Sequence, residues 1–96
     1  MRREHLAMLI GLRTEIDSID KQLLTLLAQR FECVEQLAPL KNAEKLFDDV
    51  RHQQVLASRE AWANDMKLDP QFTRDVFELI MKHSVVVQKA YWDKKS

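Results

Sequence analysis

The chain has 96 residues, of which 46% are hydrophobic, enough for one domain over 1–96 with a core. One glycine and two prolines leave little punctuation for a many-stranded sheet. Fifteen Lys and Arg balance fifteen Asp and Glu, so no bulk field favours nucleic acid or a membrane surface.

Helix one is expected over 3–41, with its one glycine, Gly11, near the start. Leu9, Leu12, Ile16, Ile19, Leu23, Leu26, Arg30, Cys33, Leu37 and Leu40 step by three and four, the apolar seam of a long amphipathic helix. Arg30 is the one charge in that seam. A buried guanidinium costs several kcal/mol unless a counter-charge meets it, and no acid shares the seam. Either a carboxylate from another helix pairs with Arg30, or the chain keeps a cationic place for an anionic ligand. Cys33, the single cysteine, excludes an intrachain disulfide and is expected as a small buried hydrophobe.

Residues 42–47 break the pattern and read as a connection. Helix two is expected from 48 or 49 to 65, an aspartate serving as N-cap at the positive end of the helix dipole. Residues 66–68 form a second connection. Asp69-Pro70 then reads as an N-cap followed by proline at the first helical position. Helix three is expected to reach Tyr91 or Trp92, with the tail from Asp93 onward fraying. The apolar run at 6–12 is too short for a secretory core and continues the helix pattern. No cleaved signal and no transmembrane span are expected, hence a cytoplasmic protein.

The length of helix one poses a geometric problem. About 38 residues at 1.5 Å each reach about 57 Å, against a diameter of roughly 30 Å for a compact domain of this size. Helices two and three of one protomer cannot cover such a face, so a dimer with two long helices packed along each other is expected.

Polar residues on or beside apolar faces are the candidates for chemistry. Arg13 lies near five turns before Arg30, about 25 Å along the axis. In one protomer that is too far for both to hold one small ligand, but an antiparallel dimer can bring Arg13 of one subunit to Arg30 of the other. Lys41 is three turns beyond Arg30. Asp48, Arg51 and His52 open helix two. Ser84 and Gln88 continue the apolar line of Phe77 and Ile80, where polar groups bond to something specific. Each has a bland alternative: a solvated Arg13, a dipole-complementing Lys41, a capping Asp48, an exposed His52, a helix-to-helix bond for Ser84 and Gln88. His5 and His83 lack ligand spacing to any other His, Cys or carboxylate, so no metal is expected. Trp62, Tyr91 and Trp92 read as packing residues, with no basic excess to make a nucleic-acid platform.

Taken together these residues match one pattern. The run from Leu12-Arg13-Thr14-Glu15-Ile16-Asp17-Ser18-Ile19-Asp20 to Leu26-Leu27-Ala28-Gln29-Arg30 resembles the opening of the all-helical chorismate mutases. The resemblance continues through Lys41, Asp48-Asp49-Val50-Arg51 and Ser84-Val85-Val86-Val87-Gln88, nearly the whole chain. It implies an all-α, intertwined homodimer of three-helix subunits, an isomerase without cofactor, and a dicarboxylate substrate with an enol-ether bridge. By the same resemblance, Arg30 and the partner subunit's Arg13 hold the carboxylates, and Ser84 adds a hydroxyl contact. Lys41 and Gln88 donate to the ether oxygen, Arg51 sits among these contacts, and Asp48 helps place the ring hydroxyl.

One position departs from the pattern. Four residues after Asp48 the mutases commonly carry a glutamate that contacts the ring hydroxyl, and here stands His52. The stretches Arg59-Glu60-Ala61-Trp62-Ala63 and Gln88-Lys89-Ala90-Tyr91-Trp92 look closer to the isochorismate pyruvate lyases, which share the fold and form salicylate and pyruvate. Asp48 and Ser84 look closer to the mutases. A mutase acting on the amino analogue of chorismate and a non-enzymatic helical dimerisation module are the remaining alternatives.

Overall fold

A computed structural model describes residues 2–95 and is all-helical among them, with no strand. Helix α1 spans Arg3–Leu37, a single 3₁₀ turn covers Ala38–Leu40, α2 spans Asp49–Asp65 and α3 spans Pro70–Lys95. The described residues fall into two compact units that divide between Glu32 and Cys33.

The first unit is helix alone. Leu6, Leu12, Ile16, Ile19, Leu23 and Leu26 are each close to half exposed or more. The seam read from the sequence is therefore present, and in the single chain it is open to solvent along this unit.

In the second unit α2 packs against α3, and α3 packs against the 3₁₀ turn. Val34, Ala38, Val55, Leu56 and Ala63 are the buried apolar residues. The indole N–H of Trp92 donates to the Ala38 carbonyl at 3.1 Å, tying the turn to α3. The end of α1 differs from the expected Lys41. Pro39 has no N–H to give and its ring crowds the carbonyl four residues back, so the helix stops at Leu37 and tightens into the 3₁₀ turn. The packed line also differs from the seam. Val34 and Ala38 are buried, whereas Cys33, Leu37 and Leu40, one position round the helix, are exposed. Cys33 is thus not the buried hydrophobe its spacing suggested.

The caps explain the other boundaries. The Asp48 carboxylate accepts from the Arg51 backbone N–H at 3.0 Å, which starts α2. Its C-terminus closes with a pair of reversed bonds, Leu68 N–H to the Ala63 carbonyl (2.8 Å) and Lys67 N–H to that of Asn64 (3.2 Å). This closure needs a left-handed residue, and Lys67 takes it at φ 61°. Asp69 accepts from the Gln71 N–H at 2.9 Å and Pro70 opens α3 as expected. The far end of α3 does not fray at Tyr91 or Trp92. It continues through Asp93 to Lys95, where two lysines face the negative end of the helix dipole. No helix among the described residues is long and apolar enough to cross a membrane.

Candidate active site

Arg13 and Arg30 lie in the first unit on α1, Arg13 exposed and Arg30 half-buried. The other six candidates lie in the second unit, on the 3₁₀ turn's exit, the start of α2 and the second half of α3.

Lys41 leaves the 3₁₀ turn in extended backbone. Its ammonium donates to the Leu46 carbonyl at 2.9 Å, so the connection wraps round the half-buried side chain. Asp48 is the α2 cap, and Arg51, exposed, lies in the first turn beside it. These positions follow from a single local fact: an N-cap fixes where the first helical turn points.

Ser84 and Gln88 are the buried polar residues of the second unit, 8% and 4% exposed. The Ser84 hydroxyl donates to the Ile80 carbonyl at 2.9 Å. The Gln88 amide donates to the Ser84 carbonyl at 3.2 Å, while its Oε1 is buried without a hydrogen-bond partner. A buried polar atom left unpaired costs about 1–3 kcal/mol. The apolar line of Phe77 and Ile80 does run into Ser84 and Gln88, as the four-residue spacing indicated.

His52 is not the exposed first-turn side chain of the bland alternative. Its ring packs on Phe47 with centroids 5.1 Å apart, and Nε2 sits 3.1 Å from Glu78 Oε2 on α3. Glu78 in turn stands 4.0 Å from Arg74, whose Nη1 donates to Glu60 at 2.9 Å. Residues 52, 60, 74 and 78 thus form a polar ladder across the α2–α3 interface. The hydrogen bond to Glu60, foremost, holds the Arg74 guanidinium in its charged form and raises its pKa. An open groove of about 620 Å³ runs beside the ladder, lined by Phe47, His52, Glu78, Leu79, Lys82 and Val85. Of the candidates named from sequence, only His52 lines it.

Two residues escaped the sequence reading. Arg59 stands on the buried face of α2 among Val55, Leu56 and Ala63, its guanidinium 4.5 Å over the Trp62 ring and 5.6 Å from Phe77. Burial, then the like charge of Arg51, lowers its pKa. Its spacing was a readable signal, since 52, 55, 56, 59 and 63 form one helical face. Glu78 carried no such signal: a glutamate in mid-helix is ordinary, and its partner lies on another helix.

The chorismate mutase type II family profile matches residues 12–89, which contain all eight candidates. The chain belongs to that family. Among curated proteins it is 38% identical over 80 residues to a T-protein of Enterobacter agglomerans, covering 81% of this chain and 21% of that protein. It is also 31% identical over 88 residues to a bifunctional chorismate mutase/prephenate dehydratase of Buchnera aphidicola, covering 90% of this chain and 23% of that protein. The Enterobacter agglomerans protein of the same name is 32% identical over 88 residues, again 90% and 23%. The chain spans about a fifth of the length of these relatives.

Proposed function

We propose that the chain is a chorismate mutase, converting chorismate to prephenate in aromatic amino acid biosynthesis. The observation that carries this reading is the pair of buried polar side chains on α3, Ser84 and Gln88, in a domain of this family. The reaction is intramolecular. A C–O bond of the enol ether breaks as a C–C bond forms at the far end of the side chain, so no nucleophile, base or cofactor is called for. Two things lower the barrier. The flexible side chain must be held folded over the ring, a proximity effect. Donors must face the ether oxygen, where negative charge grows as the C–O bond lengthens.

The residue types suit both tasks. Arg30 and the partner subunit's Arg13 hold the carboxylates through bidentate guanidinium forks, which fix orientation as well as charge. Ser84 adds a hydroxyl. Lys41 and Gln88 donate to the ether oxygen, with Arg51 among the same contacts. Asp48 and His52 stand at the ring-hydroxyl end.

The experiment offers the purified protein chorismate and isochorismate separately and identifies the products. Prephenate from chorismate is the expected result. Salicylate and pyruvate from isochorismate, with no prephenate, overturn it in favour of the lyase, towards which 59–63 and 88–92 lean in sequence.

The same reading makes the protein a homodimer. The exposed seam of α1 supports it, because so long an apolar stripe is unfavourable in water unless a second surface covers it. Mixing Arg13→Ala with Arg30→Ala tests the shared site. Each variant alone has two damaged sites, whereas a mixed dimer has one intact site and one doubly damaged. With free subunit exchange, roughly a quarter of the native turnover returns. No gain over the separate variants counts against a shared site.

A further inference from the structure

We propose that Arg59, on α2, strengthens the hold on an anionic substrate by its charge, from about two turns outside the contacts; this rests on the reading of the site as one for the chorismate dianion. Among the described residues no ion pair joins Arg59 to a carboxylate. Glu60, its neighbour in sequence, pairs instead with Arg74 at 2.9 Å. The Arg59 guanidinium lies 4.5 Å over the Trp62 ring and 5.6 Å from the centre of the Phe77 ring. Nη1 donates to the Ser58 hydroxyl at 2.9 Å, and Nε is buried without a partner. A group packed in this way is poorly laid out to grip a ligand with a bidentate fork. It stays charged all the same, since an arginine keeps its proton in a folded protein. A cation set against rings and lacking a counter-ion is screened less than one in water, so its field carries along the helix.

That field falls on the site. Arg51 and Arg59 stand eight residues apart on α2, a rise of about 12 Å. Helical side chains set out towards the N-terminus, so Arg59 starts back past the buried Val55 towards the turn that carries Arg51. Burial first, and then the like charge of Arg51, lowers the Arg59 pKa, so the two charges act on each other. On α3, Phe77 lies seven residues before Ser84, about 10 Å. The contact of Arg59 with Phe77 thus sits about two turns from Arg51 on one helix and from Ser84 on the other. One charge at that range changes affinity for a dianion by about three- to tenfold. Substrate and transition state carry the same two carboxylates, so the gain is uniform binding: it lowers KM and leaves kcat alone.

The test measures kcat and KM for chorismate, with thermal melts by circular dichroism to confirm folding. Arg59→Met keeps apolar bulk against Trp62 and Phe77 and removes the charge. Its KM is expected to rise about fivefold, with kcat within about twofold of the unaltered protein. Arg59→Lys restores the charge and brings KM back to within about twofold. The KM gap between Arg59→Met and the unaltered protein narrows as ionic strength rises from about 0.02 M to about 0.5 M, because salt shortens the field. Should Arg59→Met fail to fold, Arg59→Gln removes the charge and serves the same comparison. An unchanged KM in the neutral variant overturns the proposal. Equal loss in Arg59→Lys also overturns it, since the residue would then act by packing. A loss confined to kcat, or a KM gap indifferent to salt, overturns it as well. If the unaltered protein makes no prephenate from chorismate, the reading of the function itself falls, and the role of Arg59 with it. Normal turnover with an unmoved KM removes the role of Arg59 alone.

Discussion

Arg30→Leu is expected to lower chorismate turnover by about a thousandfold or more while the helical fold persists, since removing one preorganised charge contact already costs about 10² to 10³. The argument is one of position. Arg30 occupies the step of the α1 seam between Leu26 and Cys33. It is half-buried, so leucine fits the helix and the pattern. Leucine is as good a helix former as arginine, so the helical content is expected to persist. Turnover measured beside a thermal melt separates the two readings of the seam. A helical dimerisation module loses nothing by this change; an enzyme that grips a carboxylate with Arg30 loses its orientation of the substrate. A variant with full activity would remove Arg30 from the site.

The second large effect is expected from Gln88→Glu. Near neutral pH the introduced carboxylate faces an ether oxygen that is itself becoming negative, so repulsion replaces donation and turnover drops by about a hundredfold or more. Only the protonated acid carries an O–H to donate. Activity should therefore climb as pH falls, by about tenfold per unit until the acid is mostly protonated. The position is 4% exposed, and burial disfavours the charged form, which moves this climb towards neutral pH. The unaltered protein, run over the same range, corrects for any acid sensitivity of the fold. A flat profile for the variant would show that Gln88 does not donate to the reacting oxygen.

These two residues stand out in the sequence for the same reason. Each is polar at a step where the helical period calls for an apolar side chain, and such a substitution is costly unless something uses it. Asp48 and Asp69-Pro70 were legible by another local rule, the chemistry of N-caps, and both sit where that rule puts them. Pro39 obeyed a rule equally local, yet the seam runs through it unbroken, and periodicity placed the end of α1 at Lys41 rather than Leu37. The three residues of α3 beyond Trp92 were hidden by a polar tail, whose lysines suit a helix C-terminus better than a frayed end.

The sequence by itself determined the helices, most of their boundaries, and the polar residues set into apolar lines, because period, caps and breakers act within a turn or two of the chain. Only the tertiary structure decided which side of the end of α1 is packed: Val34 and Ala38 rather than Cys33 and Leu37. It also decided that His52 spends its Nε2 on Glu78, and that Arg59 lies against Trp62 and Phe77. Those outcomes depend on how each helix is rotated about its axis and which partner lies opposite. Rotation is set by the joint packing of whole faces, and residues 26 positions apart, such as His52 and Glu78, leave no shared period for the sequence to display.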